Sequence, residues 1–336
     1  MTRVLSGIQP TGEFQLGNYL GALKWWVADQ HEHDSYYCIV DLHALTVPRD
    51  PAELRASTLN AATMLLAVGL DPDVCTLFVQ SHVAEHTGLN WLLECTASMG
   101  ELRRMTQWKD KTVKGGEESA RVGLFTYPVL QAADILLYKA DRVPVGDDQR
   151  QHVELARDLA QRFNQRYGET FVVPEAAIPA AGRGARIMDL QVPTNKMSKS
   201  ASSPQGVILL LDDPKVIERK IKRAVTDADT GPGSVRYDPA EKPGVSNLVE
   251  LLGLATGRSP QETAAGYDAY GPLKADTAAA VIELVRPIQE RYRELASDAG
   301  TVEKILGQGA DKARSVASQT LAQARDAMGL LPPPPA

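Results

Sequence analysis

Apolar positions recur along this chain in two periods, and the switch between them predicts its elements. Arg3 to Ser6 reads as a short strand that empties into the turn Gly7-Ile8-Gln9-Pro10-Thr11-Gly12. Leu16, Leu20, Leu23 and Val27 then fall on one face of a helix. Tyr36 to Val40 and Thr76 to Val79 are continuous apolar runs of strand length, the form expected of strands covered on both faces. Between them Asp50-Pro51-Ala52-Glu53 reads as a capping box with Pro at the first helical position, opening a helix through Leu59, Met64 and Leu66 to Gly69. Gly123 to Pro128 leads into a helix with Val129, Ala132, Ala133, Leu136 and Leu137 inward. Val143-Pro144-Val145 is a further strand, and Gly146-Asp147-Asp148-Gln149 turns into a helix striped by Val153, Ala156, Leu159, Ala160 and Phe163. Strand and helix alternate, so the first half is α/β, with a parallel sheet and ligands at the carboxyl ends of its strands.

After residue 205 the pattern is helical throughout. Asp213-Pro214 caps a helix with Ile217, Ile221 and Val225 inward and Lys215, Arg219, Lys220, Lys222 and Arg223 opposed only by Glu218. Ser259-Pro260-Gln261-Glu262 opens another capped helix. Val281, Leu284, Ile288, Tyr292 and Leu295 then keep an apolar side past Pro287, which should kink it. The expected division is a Rossmann-like catalytic domain over 1–205, an all-helical domain over 206–330 and a Pro-rich tail over 331–336. A chain of 336 residues can bury a large core. Its net charge of −6 does not advertise a polyanion binder, so any such contact must come from local patches like the cationic helix. Cys38, Cys75 and Cys95 lie in apolar runs without Cys-x-x-Cys pairing and are expected as buried free thiols in a reducing compartment. No apolar run approaches the ~18 residues of a membrane span, and no leader is read at the start.

The candidate chemistry begins with Lys196-Met197-Ser198-Lys199-Ser200, set among Pro and Ser residues that make it a loop. Two lysines three apart form an anion clamp that can open and close, suited to a charge that appears and leaves; a solvated linker is the alternative. An ammonium about 4 Å from an anionic charge is worth roughly 4 kcal/mol at an effective dielectric near 20, before screening and desolvation. The opening strand, Gly-rich turn and helix form a start suited to phosphate. Gly12 and Gly17 fit a Walker loop, yet Asn18-Tyr19 replaces its Lys-Ser/Thr, and no Gly-x-Gly-x-x-Gly follows. Asp134 is a carboxylate in an apolar helix, hence either a structural ion pair or an acceptor for a ligand donor. His43, at a strand end, is either structural or part of a site. His82-Val83-Ala84-Glu85-His86 spells the pattern of inverted zinc peptidases, but His82 follows a strand directly, and no metal ligand is assigned.

Lys196 to Ser200 is letter for letter the second signature of class I aminoacyl-tRNA synthetases, and Gln15-Leu16-Gly17-Asn18 stands where the first, usually His-Ile-Gly-His, belongs. Ser6 to Gly12, Leu16 to Leu23, Met105-Thr106-Gln107, Ala132 to Tyr138, Val143 to Gly146 and Pro243-Gly244-Val245-Ser246-Asn247-Leu248 follow in order. From Arg3 to about Leu330 the chain resembles the tryptophanyl branch of the bacterial class I synthetases. The resemblance implies ATP-dependent activation of L-tryptophan with release of pyrophosphate, then transfer to tRNA(Trp). It also implies Mg²⁺ with the ATP, a cytoplasmic homodimer, an anticodon-reading helical domain, and neither membrane nor DNA as partner. Carried onto this chain, Lys196, Lys199, Gln15, Asn18 and Lys111 serve catalysis. Gln9, Pro10, Thr11, Gly17, Asn18, Gly146, Asp147, Asp148, Ile187, Lys196, Met197, Ser198, Lys199 and Ser200 hold ATP. Leu5, Gly7, His43, Tyr127, Gln131, Asp134, Val143, Val145 and Gln149 surround tryptophan. Asp134 accepts the indole N–H, while Tyr127 and Gln149 hold the ammonium and carboxylate. Gln15 departs from the usual His or Thr, and Gln131 from a common Met. By residue type alone, Lys111 also reads as a surface lysine, Asp147 and Asp148 as helix-dipole charges, and the helical half as a generic appendage. Two rivals stay open: the tyrosyl enzyme of the same fold, and a noncatalytic paralogue that binds adenylate or RNA.

Overall fold

The short apolar run near the start of the chain becomes the middle of the sheet. The computed structural model describes residues 1–109, 120–146, 149–177, 186–198 and 203–332. Its strands are β1 (Arg3–Ile8), β2 (Asp34–Ile39), β3 (Thr76–Val79), β4 (Arg142–Pro144) and β5 (Glu175–Ala177), ordered β3-β2-β1-β4-β5 and parallel at every pairing. The chain steps outward from β1 to β3, then returns to the other side of β1 for β4. That reversal opens a crevice at the carboxyl ends of β1 and β4, where sheets of this kind bind ligands. All of β3, and β2 from Ser35 to Ile39, are buried, because helices cover both faces.

Local sequence explains the covering helices. Asp50 accepts the Ala52 and Glu53 N–H groups at 2.9 and 3.0 Å and Pro51 takes the first position of Pro51–Ala67, so three features agree on where that helix begins. Arg150–Tyr167 buries the expected stripe from Val153 to Phe163. Val122–Leu137 runs past Pro128 and buries every residue from Ala132 to Leu137, Asp134 among them. The first helix is less regular than its periodicity suggests. Tyr19–Leu23 forms a π turn between Leu16–Asn18 and Lys24–Asp29, and the Lys24 N–H reaches the Tyr19 carbonyl.

The helices of the second half are Pro214–Lys222, Pro243–Thr256, Pro260–Ala264, Tyr270–Ala296, which continues through Pro287, and Ala299–Ala327. Packing runs through the expected boundary at residue 205. One apolar cluster joins Leu16, Tyr37, Leu65 and Leu77 to Ile217, Val245, Leu248 and Val281. Another joins Leu5, Tyr36, Phe78 and Val129 to Ala310, Ala313, Ala317 and Ala324 of the last helix. That last helix lies so close to β3 that a Cβ on Gly309 would stand 1.8 Å from the Leu77 carbonyl oxygen.

Three sequence expectations need correction. Val225 is 44% exposed, because the Pro214–Lys222 helix has already ended at its Arg223 cap. Cys95 is exposed at the cap that ends Glu85–Glu94, whereas Cys38 and Cys75 are buried free thiols. Lys220 is buried and donates to Asp212 Oδ2 at 2.6 Å and to the Val207 carbonyl at 2.7 Å, so it does not belong to the solvent-facing cations.

Two glycines of the last helix separate contact from propensity. Gly309→Ala should lower unfolding stability by about 1–3 kcal/mol through overpacking. Gly307→Ala, with nothing within 4 Å of the new Cβ, should gain about 0.5–1 kcal/mol. Urea denaturation of both variants checks the pair, and equal effects would contradict the close approach to β3.

Candidate active site

At the carboxyl ends of β1, β2 and β4 the structure encloses a cavity of about 350 Å³, roofed by residues of Val122–Leu137. Leu5, Gly7, His43, Tyr127, Gln131, Asp134, Val143, Val145 and Gln149, the nine residues expected around a substrate, all line it, and so does Gln9. Ser6, Cys38, Val40, Thr46, Gln107, Ile135 and Pro144 also line it and were missed. For Ser6, Cys38, Val40 and Pro144 the available signal was a position toward the carboxyl end of a strand, and for Ile135 its place beside Asp134. The cavity is therefore mixed, with an apolar wall from the strands and amides, a phenol and an acid from the loops and helix.

Asp134 is 3% exposed, and its two oxygens are differently occupied. Oδ1 receives Gln80 Nε2 at 2.7 Å and His86 Nδ1 at 2.6 Å, while Oδ2 receives His43 Nε2 at 2.8 Å. Burial opposes the charge, but the donors from His43 and His86 outweigh it and hold this carboxyl below the ordinary range. At neutral pH it is an ionised acceptor. An ionised carboxylate only accepts, so His43 carries its proton on Nε2 and His86 on Nδ1. Each carboxylate oxygen offers about two acceptor positions, so among the described residues Oδ1 is filled and Oδ2 keeps one.

The donors are themselves placed. Gln80 directly follows β3, and its Oε1 accepts the Leu42 N–H at 3.1 Å, which fixes which end of the amide faces Asp134. His86 is fully buried near the start of Glu85–Glu94, and its Nε2 meets the Tyr138 hydroxyl at 2.8 Å. Both ring nitrogens of His86 are thus used inside the fold, and His82 is exposed in a separate 3-10 turn. Among the described residues no group of three His, Cys, Asp or Glu is arranged to hold a metal ion. Tyr127 stands edge-on to His43, with ring centroids 6.1 Å apart, and its hydroxyl is 2.9 Å from His152 Nε2. Burial pushes its phenol up to about 12, so it remains a neutral donor.

A second constellation lies where the first turn meets the lysine segment. Gln15 is buried, and its Nε2 donates to the Met197 carbonyl at 3.0 Å across 182 positions of sequence. The Gln15 N–H in turn donates to Asn18 Oδ1 at 3.1 Å. A Cβ on Gly17 would lie 3.7 Å from Ile187 Cβ and 3.8 Å from Met197 Cβ, so these segments pack backbone to side chain. Ile187 and Met197 are core residues, Ser198 is half-buried, and Lys196 points into solvent. Pro10 is buried, the Thr11 N–H bonds the Gln9 carbonyl at 2.8 Å, and Gly12 takes the left-handed φ of 64° that this turn requires. Gly146 is exposed beside β4. Lys111, Asp147, Asp148, Lys199 and Ser200 lie outside the described residues.

The base of the lysine segment is held from the helical half. Asn247 accepts the Met188 N–H at 3.0 Å and returns its Nδ2 to the Met188 carbonyl at 2.9 Å. Met188 also pairs with Lys196 in an antiparallel bridge. Gly244 is required because a Cβ there would meet the Val225 carbonyl oxygen at 2.0 Å. On the neighbouring cationic helix, Lys215, Arg219 and Arg223 are exposed, while Lys222 pairs with Glu218 at 2.6 Å.

Comparison with known proteins finds relatives along nearly the whole chain. A family model described as tRNA synthetases class I (W and Y) matches residues 1–286. The tryptophan–tRNA ligase 1 of Streptomyces coelicolor is 56% identical over 99% of this chain and 98% of its own. That of Bacillus anthracis is 50% identical over 98% of both chains. Among solved structures, tryptophanyl-tRNA synthetase from Mycoplasma pneumoniae superposes with a TM-score of 0.87 at 35% identity, covering 98% of each chain. The Campylobacter jejuni enzyme, complexed with ADP and tryptophan, gives 0.83 at 34%, over 98% of this chain and all of that one. Tyrosyl-tRNA synthetase from Aeropyrum pernix shares the fold at 21% identity, with a TM-score of 0.66.

The tie between Gln15 and Met197 can be weighed by substitution. Gln15→Ala should cost about 1 kcal/mol of unfolding stability, the worth of one hydrogen bond. Gln15→Glu should cost more at pH 7, because a buried carboxylate would face a carbonyl oxygen, and the gap should narrow as the pH falls and the acid becomes a donor. Chemical denaturation at two pH values reads the order, and a tolerated Glu would show that the tie is dispensable.

Proposed function

This chain belongs to the class I tRNA synthetases of the tryptophan and tyrosine branch, and it is a tryptophan–tRNA ligase that uses ATP as substrate; from that premise we propose how its residues divide the work. Asp134 takes the indole N–H on Oδ2, the oxygen with an acceptor position left. This is the observation that carries the reading: a buried, ionised carboxylate at the wall of a cavity whose lining, among the described residues, holds no other acid. Tyr127 and Gln149 orient the substrate's ammonium and carboxylate, and Leu5, Gly7, His43, Val143 and Val145 enclose its ring, with Gln131 on the helix side. The carboxylate then attacks the α-phosphate of ATP in line, forming the acyl phosphate bond as the bond to pyrophosphate breaks. No covalent enzyme intermediate is needed, so the protein supplies position and charge.

Gln9, Pro10, Thr11, Gly17, Asn18 and Gly146 offer the backbone-rich turn suited to the nucleotide. Asp147, Asp148, Ile187 and the segment from Met197 to Ser200 are assigned to the same ligand. Lys196 and Lys199, with Lys111 as a further cation, stabilise the departing pyrophosphate. Gln15 acts at one remove, by holding the Met197 backbone. Mg²⁺ belongs to the ATP substrate, since magnesium keeps several waters and binds through phosphates rather than in an all-protein cage, and the described residues assemble no such cage. The adenylate passes tryptophan to the terminal ribose of tRNA(Trp), whose backbone suits the exposed Lys215, Arg219 and Arg223. Residues 206–330 form the anticodon-reading region.

We also propose a homodimer. Trp91, Met99 and Val122 are 64%, 59% and 77% exposed, and Met99 and Val122 line a second, largely apolar cavity beside Trp108 and Phe125. A role in translation and two buried free thiols support a cytoplasmic site. Among the described residues no helix is long and apolar enough to cross a membrane.

Pyrophosphate exchange into ATP should depend on L-tryptophan and be far weaker with L-tyrosine; equal exchange with both would overturn the substrate assignment. Replacing Lys196 and Lys199 together by Ala should slow exchange by about two to three decades, the loss typical of a preorganised charge donor. An unchanged rate in that double variant would remove the lysines from the chemistry.

A further inference from the structure

An acceptor selects a donor only if it is charged, fixed in direction and not diverted to another partner. Asp134 is fixed largely through groups that do not line the cavity, and on Oδ2 the cavity residue His43 takes only one of the two acceptor positions, at 2.8 Å. His86 and Gln80 both bind Oδ1, so neither competes for Oδ2, and neither is a cavity residue. His86 has no solvent exposure, and its two nitrogens are committed at 2.6 Å to Asp134 and at 2.8 Å to Tyr138. The carboxylate can only accept, so the ring proton sits on Nδ1, and Nε2 of the neutral ring takes the Tyr138 hydroxyl as its donor. Tyr138 is itself fully buried, stacked at 4.9 Å on Tyr36 and packed at 5.4 Å against Phe78. The chain Tyr138–His86–Asp134 therefore has one hydrogen-bond direction, ending at the cavity.

We propose that His86, held as an Nδ1 donor by Tyr138, is a positioning residue for amino-acid selection: it occupies Oδ1 of Asp134 and turns Oδ2 toward the substrate's ring N–H. This rests on Asp134 being the acceptor of that N–H. The mechanism has no proton transfer through His86; the residue acts by keeping the carboxylate oriented. A ring lacking an N–H would gain nothing from that orientation. The role consequently appears in the choice between two amino acids rather than in the rate with either one.

The test compares L-tryptophan with the isosteric amino acid in which sulfur replaces the ring N–H, benzothienylalanine, by pyrophosphate exchange on the full chain. A site built around one N–H rejects analogues lacking it by about four to five decades, so the unaltered protein should prefer tryptophan by several orders of magnitude. His86→Leu should cut that preference at least ten-fold, through the KM for tryptophan, with the KM for ATP unchanged. His86→Asn, whose Nδ2 can stand near the lost Nδ1, should recover most of it. Tyr138→Phe keeps the ring packing and removes one hydroxyl, and should cost about three-fold, the scale of one hydrogen bond; it serves if His86→Leu does not fold. A preference that survives both His86→Leu and Tyr138→Phe, or a loss equal for both amino acids, overturns the proposal. Absence of any preference in the unaltered protein overturns instead the assignment of Asp134 on which it rests.

Discussion

A carboxylate cannot be buried in an apolar helix unless donors reach it, and here the donors dictate much of the architecture around the site. Asp134 sits among Ala132, Ala133, Ile135 and Leu136, none of which can hydrogen-bond through its side chain. Its partners must therefore come across from the sheet. They arrive from the carboxyl ends of β2 and β3, His43 from the short helix after β2, Gln80 from the residue after β3, and His86 from the helix beyond. The Val122–Leu137 helix must consequently lie over those two strand ends and nowhere else. A site built this way is rigid, since losing one donor leaves a buried charge under-solvated at a cost of several kcal/mol.

The second constraint ties distant sequence together where the opening turn meets the lysine segment. The opening turn and the lysine segment are about 180 residues apart, yet Gln15 and Met197 share a hydrogen bond and Gly17 admits Ile187 and Met197 at van der Waals distance. Asn247 adds a third strand of this tie by clamping both backbone groups of Met188. The Pro243 to Leu248 motif thereby acquires a physical meaning. Gly244 permits close approach to Val225, and Asn247 holds the bridge that carries Lys196. Helices of the second half are thus part of the support for the lysine segment, which is why packing does not break at residue 205.

Most of the sheet was legible because its signals are local. Continuous apolar runs marked β2 and β3, and Asp50-Pro51 and Ser259-Pro260-Gln261-Glu262 marked helix starts that the backbone confirms. The cavity residues came from the family resemblance, and strand ends made them physically reasonable. What stayed hidden depends on partners far away in sequence. Lys220 looked like a surface cation until Asp212 and the Val207 carbonyl enclosed it. His86 was visible only as half of a zinc-like pattern, because nothing local distinguishes a metal ligand from a donor to a carboxylate that lies 48 positions onward. Gln80 carried the fainter signal of a polar residue directly after the apolar run Leu77 to Val79.

The two constellations handle charge in opposite ways, and the roles proposed for them call for the difference. In the division of work proposed above, selecting an amino acid needs an acceptor whose position does not vary between encounters, which suits a charge that is buried and saturated on one side, as on Asp134. Assisting a leaving group needs a charge that can let go, because a clamp that bound pyrophosphate as tightly as the transition state would hold the product. The role proposed for Lys196 fits its exposure, while the residue after it is anchored through its backbone to Gln15 and its side chain to the core. A buried lysine would pay a desolvation penalty each time the phosphate departed; an exposed one returns to water. On that proposal, fixed negative charge at the cavity and solvated positive charge on an anchored stem let one fold be strict toward its amino acid and still turn over.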